Sequence, residues 1–250
     1  MTENKIETAA DRLRLILGEE KLSRLQCSRV MVLGLGGVGS SCAEALARGG
    51  VGSLVLVDRD KVTPSNINRQ ALAFHSTLGK PKTDVMKRMV EDINPECKVF
   101  VLQAFIDKDQ VPNLLGALPR PDFVVDAIDT VSQKLAIAAW CQAEGIPEVA
   151  AMGGANKLDP TRLRFAPIED TQIDPLARIV RKEARKRGIG SFPVLYSDEI
   201  PREAEGKRDS IDEKGFVCEG ASILGSMSYY PPIMGQMLAG YVIQKLTGLI

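Results

Sequence analysis

The chain has a single histidine in 250 residues, His75, set in the polar stretch AFHST with no nucleophile near it in sequence, and it is assigned no catalytic role. Its five cysteines (Cys27, Cys42, Cys97, Cys141, Cys218) are odd in number, widely spread and never arranged as C-x-x-C. This argues against a disulfide framework and a structural zinc, and fits a reducing, cytoplasmic setting. There is no net charge, with 32 basic and 32 acidic side chains, so any nucleic-acid contact must come from a local cluster. No basic leader precedes an apolar run, so no signal peptide is expected. The most apolar segment, YYPPIMGQMLAGYVIQKLTGLI, is broken by two prolines, two glutamines and a lysine. It reads as a docked helix and not as a membrane span, with peripheral membrane association left open. No internal repeat is visible.

Short apolar runs alternate with helical patterns instead. RVMVLGLGG, SLVLVD, KVFVLQAF, DFVVDAID and PEVAAMGG read as strands; SSCAEALARGG, KTDVMKRMVEDINP and SQKLAIAAWCQAEG read as helices. That alternation predicts an α/β fold with a Rossmann-like, mainly parallel sheet and right-handed crossovers. Ahead of it, Leu13, Ile16, Leu17, Leu22 and Leu25 recur near helical spacing. Beyond residue 156 come a strand (RLRFAPI), a basic helix (PLARIVRKEARKRG), a charged loop (YSDEIPREAEGKRDSIDEKG) and the closing apolar segment. The expected organisation is one domain over 1–250: a helical extension (1–28), a nucleotide-binding core (29–156) and a C-terminal elaboration for substrate and dimer contacts (157–250).

GLGGVGS places Gly34, Gly36 and Gly39 in G-x-G-x-x-G, with Gly37 between, after a strand and before a helix. The first glycine permits the tight turn, the second lets backbone approach a phosphate, and the third allows close helix–strand packing. Asp58 lies nineteen residues on, at the end of the second strand, where a carboxylate accepts from ribose hydroxyls. Asp60 follows, as a second contact or a cap of the next turn. Arg69, eleven residues beyond Asp58, is a planar permanent cation suited to a reacting phosphate. Lys82 in GKPK adds a compact charge, with Lys80 as its rival and a solvated helix start as the plainer reading. Asp129 ends the fourth strand, where open α/β sheets hold ligands and a carboxylate can hold Mg²⁺ against phosphates. Capping the next helix is its alternative, and Asp126 within the strand reads as structural.

GLGGVGS, LVDRDKVTPSNINRQ, LGKPK and DAIDTVSQK together resemble, in order and spacing, the ubiquitin-activating-enzyme-like adenylating family. The resemblance implies an enzyme that binds MgATP and attaches AMP to a carboxylate. It implies that Asp58 holds the ribose, that Arg69 and Lys82 meet the phosphates, that Asp129 serves Mg²⁺, and that Asn66 and Gln70 support the phosphate side. MGGANKLDPTRLRF, DPLARIVRKEARKRG and LGSMSYYPPIMGQMLAGYVIQKL extend the resemblance to a tRNA-modifying branch of that family. The implied reaction is ATP-dependent cyclising dehydration of N6-threonylcarbamoyladenosine in tRNA through a carboxyl-adenylate. Paired C-x-x-C motifs of other branches are missing, which leaves Cys218 as the one cysteine beyond residue 141; it reads as a packing residue, with a thioester role as the alternative.

Arg178, Arg181, Lys182 and Arg185 recur at helical i, i+3, i+4, i+7 spacing, a cationic stripe for tRNA phosphates or else a solvated face. Relatives of this family are homodimers in which an arginine ahead of the first strand enters the partner's ATP site. Arg12 is the positional match and Arg14 its rival, with Leu13, Ile16 and Leu17 as anchors. Other readings are adenylation of a ubiquitin-like sulfur-carrier C-terminus, an NAD-dependent dehydrogenase, and a non-catalytic nucleotide-binding scaffold; the dehydrogenase leaves Arg69, Lys82 and Asp129 unexplained. A sulfur-transfer protein stays open as a further partner.

Overall fold

The apolar runs that the sequence marks as strands all enter one sheet. The computed structural model describes residues 7–203, 207–211, 217–222 and 224–250. Its seven-stranded sheet takes the order β3-β2-β1-β4-β5-β7-β6, from β1 (Arg29–Leu33), β2 (Ser53–Val57), β3 (Lys98–Leu102), β4 (Phe123–Asp126), β5 (Glu148–Ala151), β6 (Leu163–Pro167) and β7 (Pro193–Ser197). All neighbours are parallel except β6 and β7. The central strands β1, β2 and β4 are almost wholly buried, as strands covered on both faces must be. The order reverses between β1 and β4, which opens a crevice at the carboxyl ends of β1, β2 and β4.

Helices α2 (Gly37–Arg48), α3 (Lys82–Ile93) and α7 (Tyr230–Thr247) share one core with the sheet, in which Leu46, Met86, Met234, Leu238 and Val242 are buried. Helices α4 (Val111–Gly116), α5 (Val131–Glu144) and α6 (Pro175–Arg187) join buried clusters built around Trp140 and Phe192. Pro231 and Pro232 sit in the first turn of α7, where a missing N–H costs nothing. No helix among the described residues is long and apolar enough to cross a membrane.

Several elements depart from expectation. Strand β7 and helix α4 carry no strong signal of their own and form through their neighbours. The stretch read as a charged loop contains β8 (Lys207–Ile211), which pairs antiparallel with β9 (Val217–Ser222). Helix α1 (Asp11–Cys27) is broken at Gly18, whose φ of 74° interrupts the helical path. That break rotates the two halves: Leu22 and Leu25 are buried, but Leu15 and Ile16 are 80% and 84% exposed. Of the expected anchors, Ile16 is therefore not one, whereas Leu17 packs on the core.

A charged cluster lies inside. Lys134 of α5 donates to Asp126 at 2.9 Å, each side chain 1% exposed. Glu148, at the start of β5, is buried with no hydrogen-bond partner for its Oε2. Burial, with Asp126 nearby and Lys134 only partly offsetting both, pushes its carboxyl up to about 8.

Candidate active site

The first wall of the crevice is the glycine loop. Gly34 takes φ +86°, a conformation that side-chain-bearing residues avoid, and a Cβ there would meet the Ala127 carbonyl at 3.0 Å. Asp58 Oδ2 accepts from the Leu35 N–H at 2.6 Å and its Oδ1 from the Asp60 N–H at 2.7 Å. The carboxylate so braces the loop while still lining the cavity. Gly39 corrects the grouping that its spacing suggested: it does not line the cavity, because its Cα lies against the Gly34 carbonyl oxygen, which a Cβ would overlap. Its role is the helix–strand contact, and Gly37 instead lines the cavity beside Gly34 and Gly36.

The second wall is the arginine turn. A short 3-10 helix at Pro64–Asn66 is closed by the Thr63 N–H donating to Asn66 Oδ1 at 3.1 Å. The Arg69 and Gln70 N–H groups then both donate to the Asn66 carbonyl. Arg69 Nη1 donates to the Ser65 carbonyl at 3.1 Å and to Asn68 Oδ1 at 2.8 Å, which fixes the guanidinium at the cavity edge. Gln70 is 7% exposed, and its buried Oε1 has no partner. An orphaned buried acceptor on a cavity wall is costly unless a ligand or water meets it.

A strap holds the cation of α3 against this turn. The Val62 N–H donates to the Lys80 carbonyl and the Gly79 N–H to the Val62 carbonyl, both at 2.9 Å. This brings Lys82 Nζ to 3.1 Å from Asp60 Oδ2. Lys82 is buried and lines the cavity, whereas Lys80 is exposed and does not, so the choice between them falls to Lys82. Asp60 is spent on this pair and on Arg59, and caps nothing. Asp129 is exposed on the cavity side and does not cap α5, where Thr130 takes the cap position. Asp126 is held by Lys134 and by the Ile128 N–H, the structural role expected of it.

The remaining wall was not read from the sequence. Lys157 Nζ donates to Asp174 Oδ2 at 2.5 Å, to the Gly153 carbonyl at 2.8 Å and to the Ser197 carbonyl at 3.2 Å. Asp174 Oδ1 accepts from the Ala177 N–H and so caps α6. The Asp-Pro step ahead of PLARIV is a legible N-cap signal; the ion pair across 17 residues is not. Asn156 takes φ 59°, and its Oδ1 accepts from the Gly225 N–H at 2.6 Å. Together these walls enclose a cavity of about 680 Å³, lined by Gly34, Asp58, Asn66, Arg69, Gln70, Lys82 and Asp129 among others.

Two predicted groups lie outside it. Arg12 is exposed on the first half of α1 and does not line its own chain's cavity; Arg14 is tied to Asp11 and Glu19, each at 2.7 Å. On α6, Arg178, Lys182 and Arg185 are exposed. Arg181 leaves the stripe: it is half-buried, and its Nη1 donates to the Thr171 carbonyl at 2.5 Å and to Thr171 Oγ1 at 2.7 Å. A helix face is wider than one row of side chains, and this residue falls on its inner edge. Burial raises the Cys42, Cys97 and Cys141 thiols, Cys97 to about 11, so none of these is a ready thiolate. The Cys218 side chain lies outside the described residues. No group of three or more His, Cys, Asp or Glu side chains that could hold a metal ion exists among the described residues.

A glycine loop, a carboxylate after the second strand and convergent cations at a sheet's switch point fit the ATP-dependent adenylating enzyme, acting on a carboxylate, that the family and its relatives show. The chain belongs to the ThiF family, whose sequence profile matches residues 9–249. It is similar to a tRNA threonylcarbamoyladenosine dehydratase of Bacillus subtilis, 41% identical over 94% of this chain and 93% of that one. It is 31% identical to tRNA threonylcarbamoyladenosine dehydratase 2 of Saccharomyces cerevisiae, over 92% of this chain but 54% of that protein. The structure of the Escherichia coli tRNA N6-threonylcarbamoyladenosine dehydratase in complex with ATP matches with TM-score 0.82 at 28% identity, covering 97% of this chain and 98% of that one.

Proposed function

We propose that this protein activates the threonyl carboxylate of N6-threonylcarbamoyladenosine in tRNA with ATP and closes it into a ring. The observation that carries this reading is the single cavity on which Arg69, Gln70, Lys82, Asp58 and Asp129 converge around the glycine loop. The names of relatives that match nearly the whole chain support the tRNA substrate. A carboxylate oxygen attacks the α-phosphorus in line, the bond to the bridging oxygen breaks, and pyrophosphate leaves. The neighbouring carbamoyl group then attacks the acyl carbon and expels AMP, for a net loss of water. Asp58 receives the ribose hydroxyls, Asn66 and Gln70 assist on the phosphate side, and Arg69 and Lys82 stabilise charge as pyrophosphate departs. Ring closure is intramolecular, so proximity replaces a protein nucleophile and Cys218 is not required.

The donor set fits Mg²⁺, which takes one or two carboxylates beside nucleotide phosphates. Asp129 neither caps a helix nor forms an ion pair, and it is the carboxylate that would hold the ion. When bound, the ion neutralises phosphate charge. The enzyme works as a cytoplasmic homodimer, with Arg12 of one subunit reaching the other's nucleotide; the exposed Leu15 and Ile16 beside it suit an interface. Arg178, Lys182 and Arg185 contact tRNA phosphates from α6, whose first residues Pro175 and Leu176 line the cavity.

Exchange of labelled pyrophosphate into ATP tests this reading. Exchange that needs the modified tRNA, and that falls with Arg69→Ala by the equivalent of about 2–4 kcal/mol, is the expected result. Exchange driven instead by a sulfur-carrier C-terminus would favour the second reading. An Escherichia coli molybdopterin-synthase adenylyltransferase, 35% identical over 54% of this chain, keeps that reading open.

A further inference from the structure

Asn68 stands beside Arg69 in the arginine turn, and its amide is used at both ends. Its Oδ1 accepts from Arg69 Nη1 at 2.8 Å, and its Nδ2 donates to the Ser226 carbonyl at 3.0 Å, across 158 residues of sequence. No other oxygen-and-nitrogen assignment satisfies both contacts, since a guanidinium only donates and a carbonyl only accepts. Ser226 lines the cavity together with Gly225 and Leu224, the last of which is exposed. That wall is pinned from its other side by Asn156, whose N–H donates to the Gly225 carbonyl and whose Oδ1 accepts from the Gly225 N–H. Asn156 holds this post in a left-handed conformation, one of two non-glycine residues with positive φ among the described residues, so the wall position is over-determined.

We propose that Asn68 is a positioning residue that aims Arg69 at the nucleotide phosphates and ties that aim to the 224–226 wall, where the tRNA-borne substrate enters. One amide thereby links the two substrate halves of the cavity. With its Asn68 contact gone, Arg69 keeps only the Ser65 carbonyl, a single neutral acceptor 3.1 Å away, and the guanidinium is free to swing about that one bond. With the Ser226 contact gone, the outer wall keeps Asn156 and loses its tie to the nucleotide side. The inference rests on the ATP-dependent reading of the site for its chemistry, but the aiming of Arg69 is tested by nucleotide binding alone.

The experiment is a double-mutant cycle on the full-length protein, comparing Asn68→Ala in the wild-type and Arg69→Ala backgrounds. Two quantities are read: the Kd of ATP by calorimetry, and the KM for modified tRNA in pyrophosphate exchange. If Asn68 acts through Arg69, Asn68→Ala weakens ATP about three- to tenfold in the wild type and less than about twofold once Arg69 is gone. The tRNA KM rises at least about threefold in both backgrounds, because the Ser226 tie does not depend on Arg69. Melting temperatures within a few degrees of the parent separate this from a loss of fold. Equal ATP losses in both backgrounds, or none in either, overturn the aiming role, and an unchanged tRNA KM overturns the link to the wall. A wild-type protein that binds ATP without exchange would defeat the functional reading, and the Kd cycle would still judge Asn68.

Discussion

The stem of Arg69 crosses the glycine loop directly over Gly37: a Cβ built on Gly37 would lie 3.2 Å from Arg69 Cγ and 2.8 Å from Pro231 Cβ. Three parts of the chain far apart in sequence, the loop after β1, the arginine turn and the first turn of α7, are thus in contact at one small residue. Gly37→Ala should push the arginine stem off its path. Overpacking at this contact is expected to destabilise by about 1–3 kcal/mol, and exchange activity should fall more than stability alone explains. Activity measured well below the melting transition checks this, and an unaffected rate would mean that the stem has room to move.

On α6 the structure divides the basic residues into two kinds. Replacing Arg178 and Arg185 by alanine should flatten the salt dependence of tRNA binding by about 0.7–0.9 per lost contact, with ATP affinity unchanged. Arg181→Ala should leave the slope alone and lower the melting temperature, because its guanidinium is engaged with Thr171. A slope that responds to Arg181 and ignores Arg178 and Arg185 would reverse this division.

Glu148 gives stability a pH dependence of the opposite sign to that of a salt-bridged carboxylate. In the folded chain it keeps its proton up to about pH 8, because burial and the nearby Asp126 outweigh Lys134, whereas the unfolded chain releases it near the ordinary glutamate value of 4.5. Between these values the folded state binds the extra proton, so this residue's contribution falls as pH rises through the window. Glu148→Gln should therefore gain stability that is absent near pH 4.5 and largest above pH 8, on the order of 1 kcal/mol or more. Denaturant titrations at three pH values decide it; a gain that does not vary with pH would assign the effect to packing.

Arg12 offers a test of assembly. If it serves the partner's site, mixing Arg12→Ala and Arg69→Ala subunits makes dimers with one doubly defective site and one intact site, and about half the per-site activity returns where subunits exchange freely. If it serves its own chain, every site keeps a defect and mixing restores nothing.

Much of the nucleotide side was legible because its signals are local. GLGGVGS requires a turn whatever surrounds it, the alternation of apolar runs and helices requires a parallel sheet, and Asp58 follows β2 directly while Asp129 comes three residues after the end of β4. Backbone conformation and strand ends are set by residues within a few positions of each other, so spacing singled out Asp58, Arg69 and Asp129, which line one crevice, while it left Lys82 and Lys80 as rivals.

What the tertiary structure alone decided is every contact between distant segments. The choice of Lys82 over Lys80 depends on the strap from Val62 to Lys80, and the withdrawal of Arg181 depends on Thr171 lying beneath it. The Lys157–Asp174 pair, the Asn68–Ser226 tie and the β7 strand each need a partner at least 17 residues away. A polar side chain becomes buried, paired or aimed only through the desolvation and geometry its partner imposes. The amino-acid sequence determined which chemistry this protein carries; three-dimensional packing decided which of its charges are free to perform it.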